Sequence, residues 1–267
     1  MAQTAQQSIL TAQDGGVLTL TFNRPDKLNA FNDAMTTALI EEFRKAERDA
    51  GVRCIVLTGA GRGFSAGQDL GVFVERRQSA EPVSIREHLQ SGYNVLTTRI
   101  RTIEKPVVAA INGVAAGVGL SIALACDIRV AADDALITLG FSKIGLIPDG
   151  GSSFMLPLLV GLGRAAELAF TSDRIDAAEA HRLGLVNRVA PAEELLDATA
   201  ALAAQLAALP TRAIGLTKRA FNHAILPDLA GLLDYESHLQ EIAGRTADHQ
   251  EGVAAFLEKR QPTFRGE

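Results

Sequence analysis

The chain has 267 residues, of which 47% are hydrophobic and 21% charged, and its formal net charge is −5. This composition is typical of a globular protein with enough apolar side chains for a sizeable core. The acidic balance, and the lack of any cluster of five or more Lys or Arg residues in the sequence, argue against a nucleic-acid partner.

The N-terminal part predicts a strand, a basic turn and a long helix. Residues 1–7 carry neither a basic nor an apolar segment, so no export signal is predicted and the expected location is the cytoplasm. Apolar residues alternate over 17–23, and a helical pattern covers 30–50. The basic residues Arg24 and Lys27 lie between these two elements.

Cysteine and histidine spacing gives no sign of a metal or redox site. Cys54 and Cys126 lie at or beside apolar runs and lack paired spacing, which favours reduced, buried thiols. The five histidines show no metal-binding spacing. No metal ion is therefore expected.

A strand at 54–58 leads into a glycine-rich loop, GAGRGFSAGQDL, at 59–70. The stretch 63–67 matches the Gly-x-Ser-x-Gly nucleophile elbow of serine hydrolases. That motif requires the serine at a sharp turn directly between strand and helix. Here the strand ends near Thr58 and a loop intervenes, so a hydrolase is disfavoured.

Residues 107–126 contain no charged side chain. An uncharged segment of this length could suggest a membrane span. Asn112-Gly113 and the glycines at 117 and 119 divide it into a strand at 107–111 and a helix at 117–126. Neither piece could cross a bilayer, so no membrane partner is predicted. Ile122 stands where a dinucleotide fingerprint needs glycine, which disfavours NAD binding.

Gly117 has two interpretations. A glycine that opens a helix lets first-turn N–H groups face a negatively charged group, as in one half of an oxyanion hole. Equally, it could simply permit close packing of a strand against a helix.

The rest of the core alternates strands with helices. Strands are predicted at 127–131, 136–140 and 185–189, and a helix at 176–183. This alternation indicates an α/β fold with largely parallel, buried strands. The turn at 148–151, Pro-Asp-Gly-Gly, places Asp149 where most aspartates are exposed turn residues.

Beyond Pro191 the pattern becomes helical. Helices are predicted at 193–209, 211–224, 228–244 and 246–259, with breaks at the prolines between them. Residues 75–90, which mix charge with a proline, are predicted to form a mobile loop.

The order and spacing of these motifs resemble the crotonase (enoyl-CoA hydratase/isomerase) superfamily. The match rests on GxGFSAGxDL at 61–70 and NGxAxGxG at 112–119, with further support at 17–25, 126–128, 145–148 and 251–256. The resemblance implies a spiral of repeated strand–strand–helix units over residues 1–200. It also implies a helical oligomerisation region over 201–267 that builds homotrimers or hexamers.

The resemblance implies an acyl-CoA thioester as substrate, so that coenzyme A enters with the substrate and no cofactor is bound permanently. In this family two backbone N–H groups stabilise the thioester enolate, and by position they belong to Gln68 and Val118. The implied CoA contacts are Arg24, Lys27, Ser65, Ala66, Asp69 and Leu70. The implied pocket residues are Gly117, Ser121 and Phe141.

Family hydratases use two glutamates, and Ser121 and Phe141 occupy their positions here. Asp149 instead resembles the proton shuttle of family isomerases that act on dienoyl-CoA or on ring-1,2-epoxyphenylacetyl-CoA. The resemblance to the epoxyphenylacetyl-CoA isomerases is the closer of the two. It rests on the segment FSKIGLIPD at 141–149, with weaker support at 243–249. One carboxylate suits an isomerase because it can take and return the same proton. An apolar surround of Phe141, Ile147 and Phe154 is expected to raise the pKa of Asp149.

Two alternatives stay open at this point. One is an enoyl-CoA hydratase of the fatty-acid β-oxidation type, and the other is a non-catalytic protein that binds CoA thioesters. A solvent-facing Asp149 would favour the binding protein, whereas an Asp149 beside the thioester would favour the isomerase. The sequence does not identify the acyl group.

Overall fold

The computed structural model of the chain describes residues 7–71, 84–225 and 228–265. The strands are β1 (Ile9–Asp14), β2 (Val17–Phe22), β3 (Cys54–Gly59), β4 (Gly63–Ser65), β5 (Val107–Ile111), β6 (Val114–Ala116), β7 (Ile128–Ala132), β8 (Leu136–Thr138), β9 (Ile175–Asp176) and β10 (Arg188–Ala190). The helices of the core are α1 (Asp33–Arg48), α2 (Ile85–Ser91), α3 (Tyr93–Thr102), α4 (Val118–Ala125), α5 (Ser152–Val160), α6 (Leu162–Thr171) and α7 (Ala177–Arg182). The C-terminal helices are α8 (Leu195–Ala208), α9 (Thr211–Ile225), α10 (Leu229–Gly244) and α11 (Ala247–Glu258).

The strands form two sheets. The six-stranded sheet has the order β1-β2-β3-β5-β7-β10, in which the β1–β2 pair is antiparallel and the other pairs are parallel. The four-stranded sheet has the order β4-β6-β8-β9, with β9 antiparallel to β8. The chain alternates between the sheets, from β3 to β4, from β5 to β6 and from β7 to β8, and helices follow each pair. The fold is therefore the predicted α/β spiral of strand–strand–helix units.

The core lies around the middle strands of the larger sheet. Every residue of β3 and of β5 is buried, which explains why these strands are continuous apolar runs. The ring of Phe22 at the end of β2 packs edge-on against Phe31 and Phe64, at centroid distances of 5.2 and 5.1 Å. These rings fix the glycine-rich loop to the core.

The uncharged stretch 107–126 divides into β5, β6 and α4. No helix in the described ranges is both long and apolar enough to cross a bilayer. Cys54 and Cys126 are free and buried, as predicted.

The predicted strand at 185–189 was misplaced. The helix α7 ends in a turn at Gly184, which has φ +82°, and the N–H groups of Leu185 and Val186 both donate to the carbonyl of Ala180. These two residues are therefore buried as part of a helix-ending turn. The strand itself, β10, begins only at Arg188.

The predicted loop at 75–90 was wrong for its last part, while residues 72–83 lie outside the described ranges. Helix α2 begins after Ser84, whose hydroxyl accepts a hydrogen bond from the N–H of Glu87. Ile85 and Leu89, four residues apart, are buried on one side of this helix. The Ser-x-x-Glu spacing is a helix-start signal that the interpretation as a loop overlooked.

The four C-terminal helices lie close to their predicted bounds. Helix α10 packs against α2 and buries a face made by Leu233, Glu236, Ser237, Gln240 and Gly244. Part of the region predicted to mediate oligomerisation thus packs on the core of the same chain. Several large apolar side chains of these helices remain exposed, among them Phe221, Tyr235, Ile242 and Phe256.

Candidate active site

A cavity of about 530 Å³, partly open to solvent, lies where the glycine-rich loop, the start of α4 and helices α2, α3, α10 and α11 meet. Its lining is mostly apolar. It includes Ala66, Gly67, Gln68, Leu70, Leu89, Tyr93, Gly117, Val118, Phe141, Leu146, Asp149, Gln240 and Phe256. A second, more open groove of about 570 Å³ runs between α3 and α9. Its described lining includes no carboxylate and neither of the glycine turns around Gly67 and Gly117. The first cavity is the better candidate for the active site, because it combines an apolar lining with a few polar groups.

Two glycines bring the backbone turns of the cavity into contact. Gly67 has φ +94° and Gly117 has φ +51°, both in the region that favours glycine. A Cβ on Gly67 would lie 3.0 Å from the carbonyl oxygen of Ala116 and 3.5 Å from the Cα of Gly117. This close approach places the next residues, Gln68 and Val118, side by side on the cavity lining.

The backbone geometry directs the N–H groups of Gln68 and Val118 away from internal partners. The carbonyl of Gly67 and the N–H of Asp69 both bond to Phe31, so the N–H of Gln68 between them points to the opposite side. Val118 is the first residue of α4, and first-turn amides have no acceptor within their helix. Within the described ranges, neither N–H has an internal acceptor. The pair can therefore receive an oxyanion.

Asp149 is buried beside these turns, with 6% of its surface exposed. Its Oδ2 accepts a hydrogen bond of 2.8 Å from Gln240 Nε2, whereas Oδ1 is buried without a hydrogen-bond partner. Burial first, and repulsion from Glu236 second, raise the pKa of Asp149 to about 8, and the Gln240 hydrogen bond opposes the rise. A carboxylate with this pKa can both take and release a proton near neutral pH.

The resemblance implied that Phe141 and Ser121 occupy the two glutamate positions of family hydratases, and the structure gives these two residues different surroundings. Phe141 lines the cavity. Ser121 lies behind the turn that carries Asp149: a Cβ on Gly150 would lie 3.1 Å from Ser121 Cβ. Its Oγ is 3.3 Å from the carbonyl oxygen of Gly117. Ser121 therefore supports the turn and is not part of the cavity lining.

The expected apolar surround of Asp149 is also only partly as predicted. Phe141 lines the cavity together with Leu146. Ile147 contributes its backbone, which bonds to Gln240. Phe154 is not part of the lining.

The residues predicted to contact CoA divide into two groups. Ala66 and Leu70 line the cavity, and Lys27 is exposed. The others serve the fold and do not line the cavity. Arg24 forms an ion pair of 2.8 Å with Asp69 and donates to the carbonyl of Ala30.

Ser65 belongs to this second group as well. It is fully buried, and its Oγ donates to the carbonyl of Asn29 and accepts from the N–H of Gly67. Arg24, Ser65 and Asp69 thus hold the turn that presents Gln68, because their polar atoms are engaged inside the protein.

A polar cluster at one end of the cavity was not predicted. The Tyr93 hydroxyl and His88 Nε2 both contact Oε1 of the Gln68 side chain. Burial, and next the negative charge of Asp149, raise the pKa of Tyr93 well above its ordinary value, so the hydroxyl stays protonated. His88 and Tyr93 lie on helices α2 and α3, which the sequence pattern did not predict.

Glu236 and Gln240 on α10 were missed too, although a signal existed. They lie four residues apart on the buried face of helix α10. A polar side chain on such a face requires a partner in the core. Their partners are the turn residues 147–153 around Asp149.

Comparison with known proteins places this site among acyl-CoA enzymes. Residues 12–267 match the family model described as enoyl-CoA hydratase/isomerase. The chain is 45% identical to the 1,2-epoxyphenylacetyl-CoA isomerase of Escherichia coli K12, over 97% of this chain and 98% of that protein. It is 34% identical to the crotonyl-CoA hydratase of Syntrophomonas wolfei, with 97% and 98% covered. An enoyl-CoA hydratase structure from Mycobacterium avium subsp. paratuberculosis superposes with a TM-score of 0.87, at 36% identity, covering 97% of this chain and 98% of that one.

Proposed function

Because the chain belongs to the enoyl-CoA hydratase/isomerase family, we propose that it is an acyl-CoA isomerase with Asp149 as its one proton shuttle. The observation that carries the proposal is the environment of this carboxylate. Asp149 is buried with one unpartnered oxygen, in a cavity that Gln68 and Val118 also line.

The proposed reaction moves one proton within the substrate. The thioester oxygen lies between the N–H groups of Gln68 and Val118, which stabilise the enolate that forms when the α-carbon loses its proton. Oδ1 of Asp149 accepts that proton and returns it to a carbon further along the conjugated system. No atom is gained or lost, so one acid–base group is sufficient.

Hydration would need more than this site offers. Adding water across a double bond requires one group to activate the water and another to deliver a proton. Among the described residues that line the cavity, Asp149 is the only carboxylate. Ser121 and Phe141, at the two glutamate positions of family hydratases, cannot supply another. The arrangement therefore favours isomerisation over hydration.

We assign the substrate to ring-1,2-epoxyphenylacetyl-CoA or a related enoyl-CoA of aromatic degradation. Support comes from the E. coli relative, whose name is 1,2-epoxyphenylacetyl-CoA isomerase. The apolar side chains of Leu89, Phe141 and Leu146 suit a ring-sized acyl group, and about 530 Å³ is within the usual range for such ligands. Coenzyme A enters as part of this substrate, beside Ala66 and Leu70, with Lys27 as the nearby cation for its phosphates.

We also propose that the protein assembles into trimers or hexamers. Phe221 on α9 and Tyr235 on α10 are 61% and 60% exposed. Phe170 and Leu162, on α6, are more exposed still, at 78% and 77%. Contact between subunits would remove this apolar surface from water.

The deciding experiment compares three reactions of the purified protein. Isomerisation of ring-1,2-epoxyphenylacetyl-CoA and of a 3-enoyl-CoA is assayed beside hydration of crotonyl-CoA. We expect isomerisation to exceed hydration by orders of magnitude. Fast crotonyl-CoA hydration would instead support a hydratase, and binding of the thioesters without turnover would support a non-catalytic protein.

A further inference from the structure

One buried face of α10 holds both ends of the turn that carries Asp149. Its two polar side chains near this turn, Glu236 and Gln240, are among the least exposed in the protein, at 2% and 0%. They belong to the C-terminal region, about ninety residues beyond Asp149 in the chain. A long-range contact of this kind fixes the carboxylate from outside its own loop.

Gln240 is oriented by the backbone of Ile147. Its Oε1 accepts the Ile147 N–H at 2.9 Å, and its Nε2 donates to the Ile147 carbonyl at 2.9 Å. A backbone N–H can only donate and a backbone carbonyl can only accept. These two hydrogen bonds therefore determine which end of the Gln240 amide is the nitrogen. The remaining hydrogen of Nε2 is donated to Oδ2 of Asp149 at 2.8 Å.

Glu236 holds the opposite side of the same turn. It accepts the N–H of Gly151 at 2.9 Å and both the N–H and the hydroxyl of Ser153. Gly150 and Gly151 in this turn have φ of +61° and +85°, and the Thr97 hydroxyl also supports the turn by donating to the carbonyl of Gly150 at 2.8 Å. Glu236 also faces Asp149 closely enough for the two carboxylates to repel each other.

We propose that Gln240 is a positioning residue that gives the two oxygens of Asp149 different tasks: Oδ2 accepts from Gln240, and Oδ1 alone carries the shuttled proton. The protonated carboxyl cannot place its hydrogen on Oδ2, because that oxygen faces an N–H donor. Oδ1 is buried and has no hydrogen-bond partner, and Asp149 is one of the described residues that line the cavity. Glu236 completes the arrangement by fixing the turn and by favouring the protonated form of Asp149. The inference rests on the proposed function, in which Asp149 is the base.

The surroundings of Asp149 offer few other charges. Tyr93 on α3 also lines the cavity, and because burial and the charge of Asp149 raise the pKa of its hydroxyl, that hydroxyl is neutral. His88 on α2 lines the cavity, as do Lys143 and Arg174, which are exposed to solvent. The groups that contact or repel the carboxylate from close range are those on α10.

Gln240→Met tests the role of the amide, because it keeps the length of the side chain and removes its donor. We expect kcat to fall about tenfold with KM changed less than about threefold, since a hydrogen bond to a charged group is lost. The kinetic pKa of the base should rise, because the ionised form of Asp149 loses its one donor.

Asn94→Leu is the matched control. Asn94 is another buried amide that joins α10 to the core, through the carbonyl of Leu233 and the hydroxyl of Ser237, and it does not line the cavity. The Asn94→Leu substitution should lower the stability of the protein and leave the pH profile of its activity unchanged. The same pH profile in both variants would overturn the proposal, because Gln240 would then be only structural.

Infrared spectroscopy tests the assignment in the unaltered protein. Wild type and Asp149→Asn are both prepared with carboxyl-labelled aspartate, and their spectra are recorded at a pH below the pKa of Asp149. The difference between the two spectra isolates the C=O stretch of the protonated Asp149 carboxyl. A frequency lowered by hydrogen bonding supports a C=O at Oδ2, and a frequency typical of an unbonded carbonyl overturns it. If Asp149→Asn stays fully active, the proposed function fails. If that variant is inactive but the carbonyl is unbonded, only the role of Gln240 fails.

Discussion

Gly67 and Gly117 lie with their backbones in contact, since a Cβ on Gly117 would be 3.7 Å from the Cα of Gly67. Gly67→Ala should therefore disturb the site. The added Cβ would lie 3.0 Å from the Ala116 carbonyl oxygen, at a backbone φ of +94° that disfavours alanine. We expect kcat/KM to fall about 100-fold, because the Gln68 N–H is displaced from the thioester oxygen.

Gly163→Ala is the control for this substitution. Gly163 lies in helix α6, and a Cβ there would meet nothing within 4 Å. Alanine should leave activity unchanged and stabilise the helix by up to about 1 kcal/mol. Wild-type kcat/KM in folded Gly67→Ala would show that the contact between the two turns does not determine the oxyanion geometry.

Asp149→Asn should abolish isomerisation while affinity for a CoA thioester stays within a few-fold of wild type. Asparagine keeps the shape of the side chain but cannot take up the substrate proton. The expected loss of kcat is about 100- to 10,000-fold, the usual contribution of a general base. Turnover and calorimetric binding of a product or substrate analogue measure the two effects separately. Near-wild-type turnover would refute the assignment.

The pH dependence of kcat/KM should follow the ionisation of Asp149. The base must be deprotonated to act, so activity should rise with pH and level off above an apparent pKa of about 8. Rates are measured from about pH 6 to about pH 9 with substrate well below KM. A profile that is flat over this range would mean that another group removes the proton.

Folding stability should depend on the same ionisation, with the opposite trend. The folded pKa of about 8 exceeds the ordinary value of 3.8, so the folded protein binds more protons than the unfolded chain between these values. This contribution is fully present at low pH and is lost as pH rises through about 8. The melting temperature of Asp149→Asn relative to wild type should therefore increase from about pH 5 to about pH 9.

Val118→Pro and Val118→Ala distinguish the backbone N–H from the side chain. Val118 is the first residue of α4, a position where proline fits a helix but supplies no N–H. The proline variant should lose about 3 kcal/mol of transition-state stabilisation, and the alanine variant much less. Circular dichroism must first show that both variants are folded. Equal activity of the two would exclude the Val118 N–H from the oxyanion hole.

The proposed assembly can be tested by light scattering at micromolar concentration, which should give a trimer or hexamer mass. Truncation after Pro210 is a poor test, because it also removes Glu236 and Gln240 from the site. Replacing the exposed Phe221 and Tyr235 by serine is more specific and should lower the mass. Leu10→Ser on β1 is the control, and a monodisperse wild-type monomer would contradict the proposal.

The sequence predicted the α/β spiral because the order of its glycine motifs is distinctive. It did not reveal β1, an exposed edge strand in which only Ile9 is buried. It also missed α5 and α6, which begin without a side-chain cap, and α5 contains Pro157. Such elements are held by tertiary contacts, which local patterns do not report.

The candidate site was predicted in outline from motifs that are local in the chain. Gln68, Val118 and Asp149 do share one cavity. Gln240 could not be connected with Asp149 from the sequence, since nothing local indicates which helix covers a turn. The sequence also did not indicate the partner of Arg24, because Asp69, with which it forms an ion pair, lies 45 positions away.

The burial of Asp149 has a consequence for isotopes. In the proposed reaction the transferred hydrogen is held on Asp149, of which only 6% of the surface is exposed, so we expect the carboxyl to return it to the substrate faster than it exchanges with solvent. Deuterium placed on the α-carbon of the substrate should then reappear in the product when the reaction runs in ordinary water. Because a single oxygen gives and receives, the label should also leave and return on the same face of the acyl group.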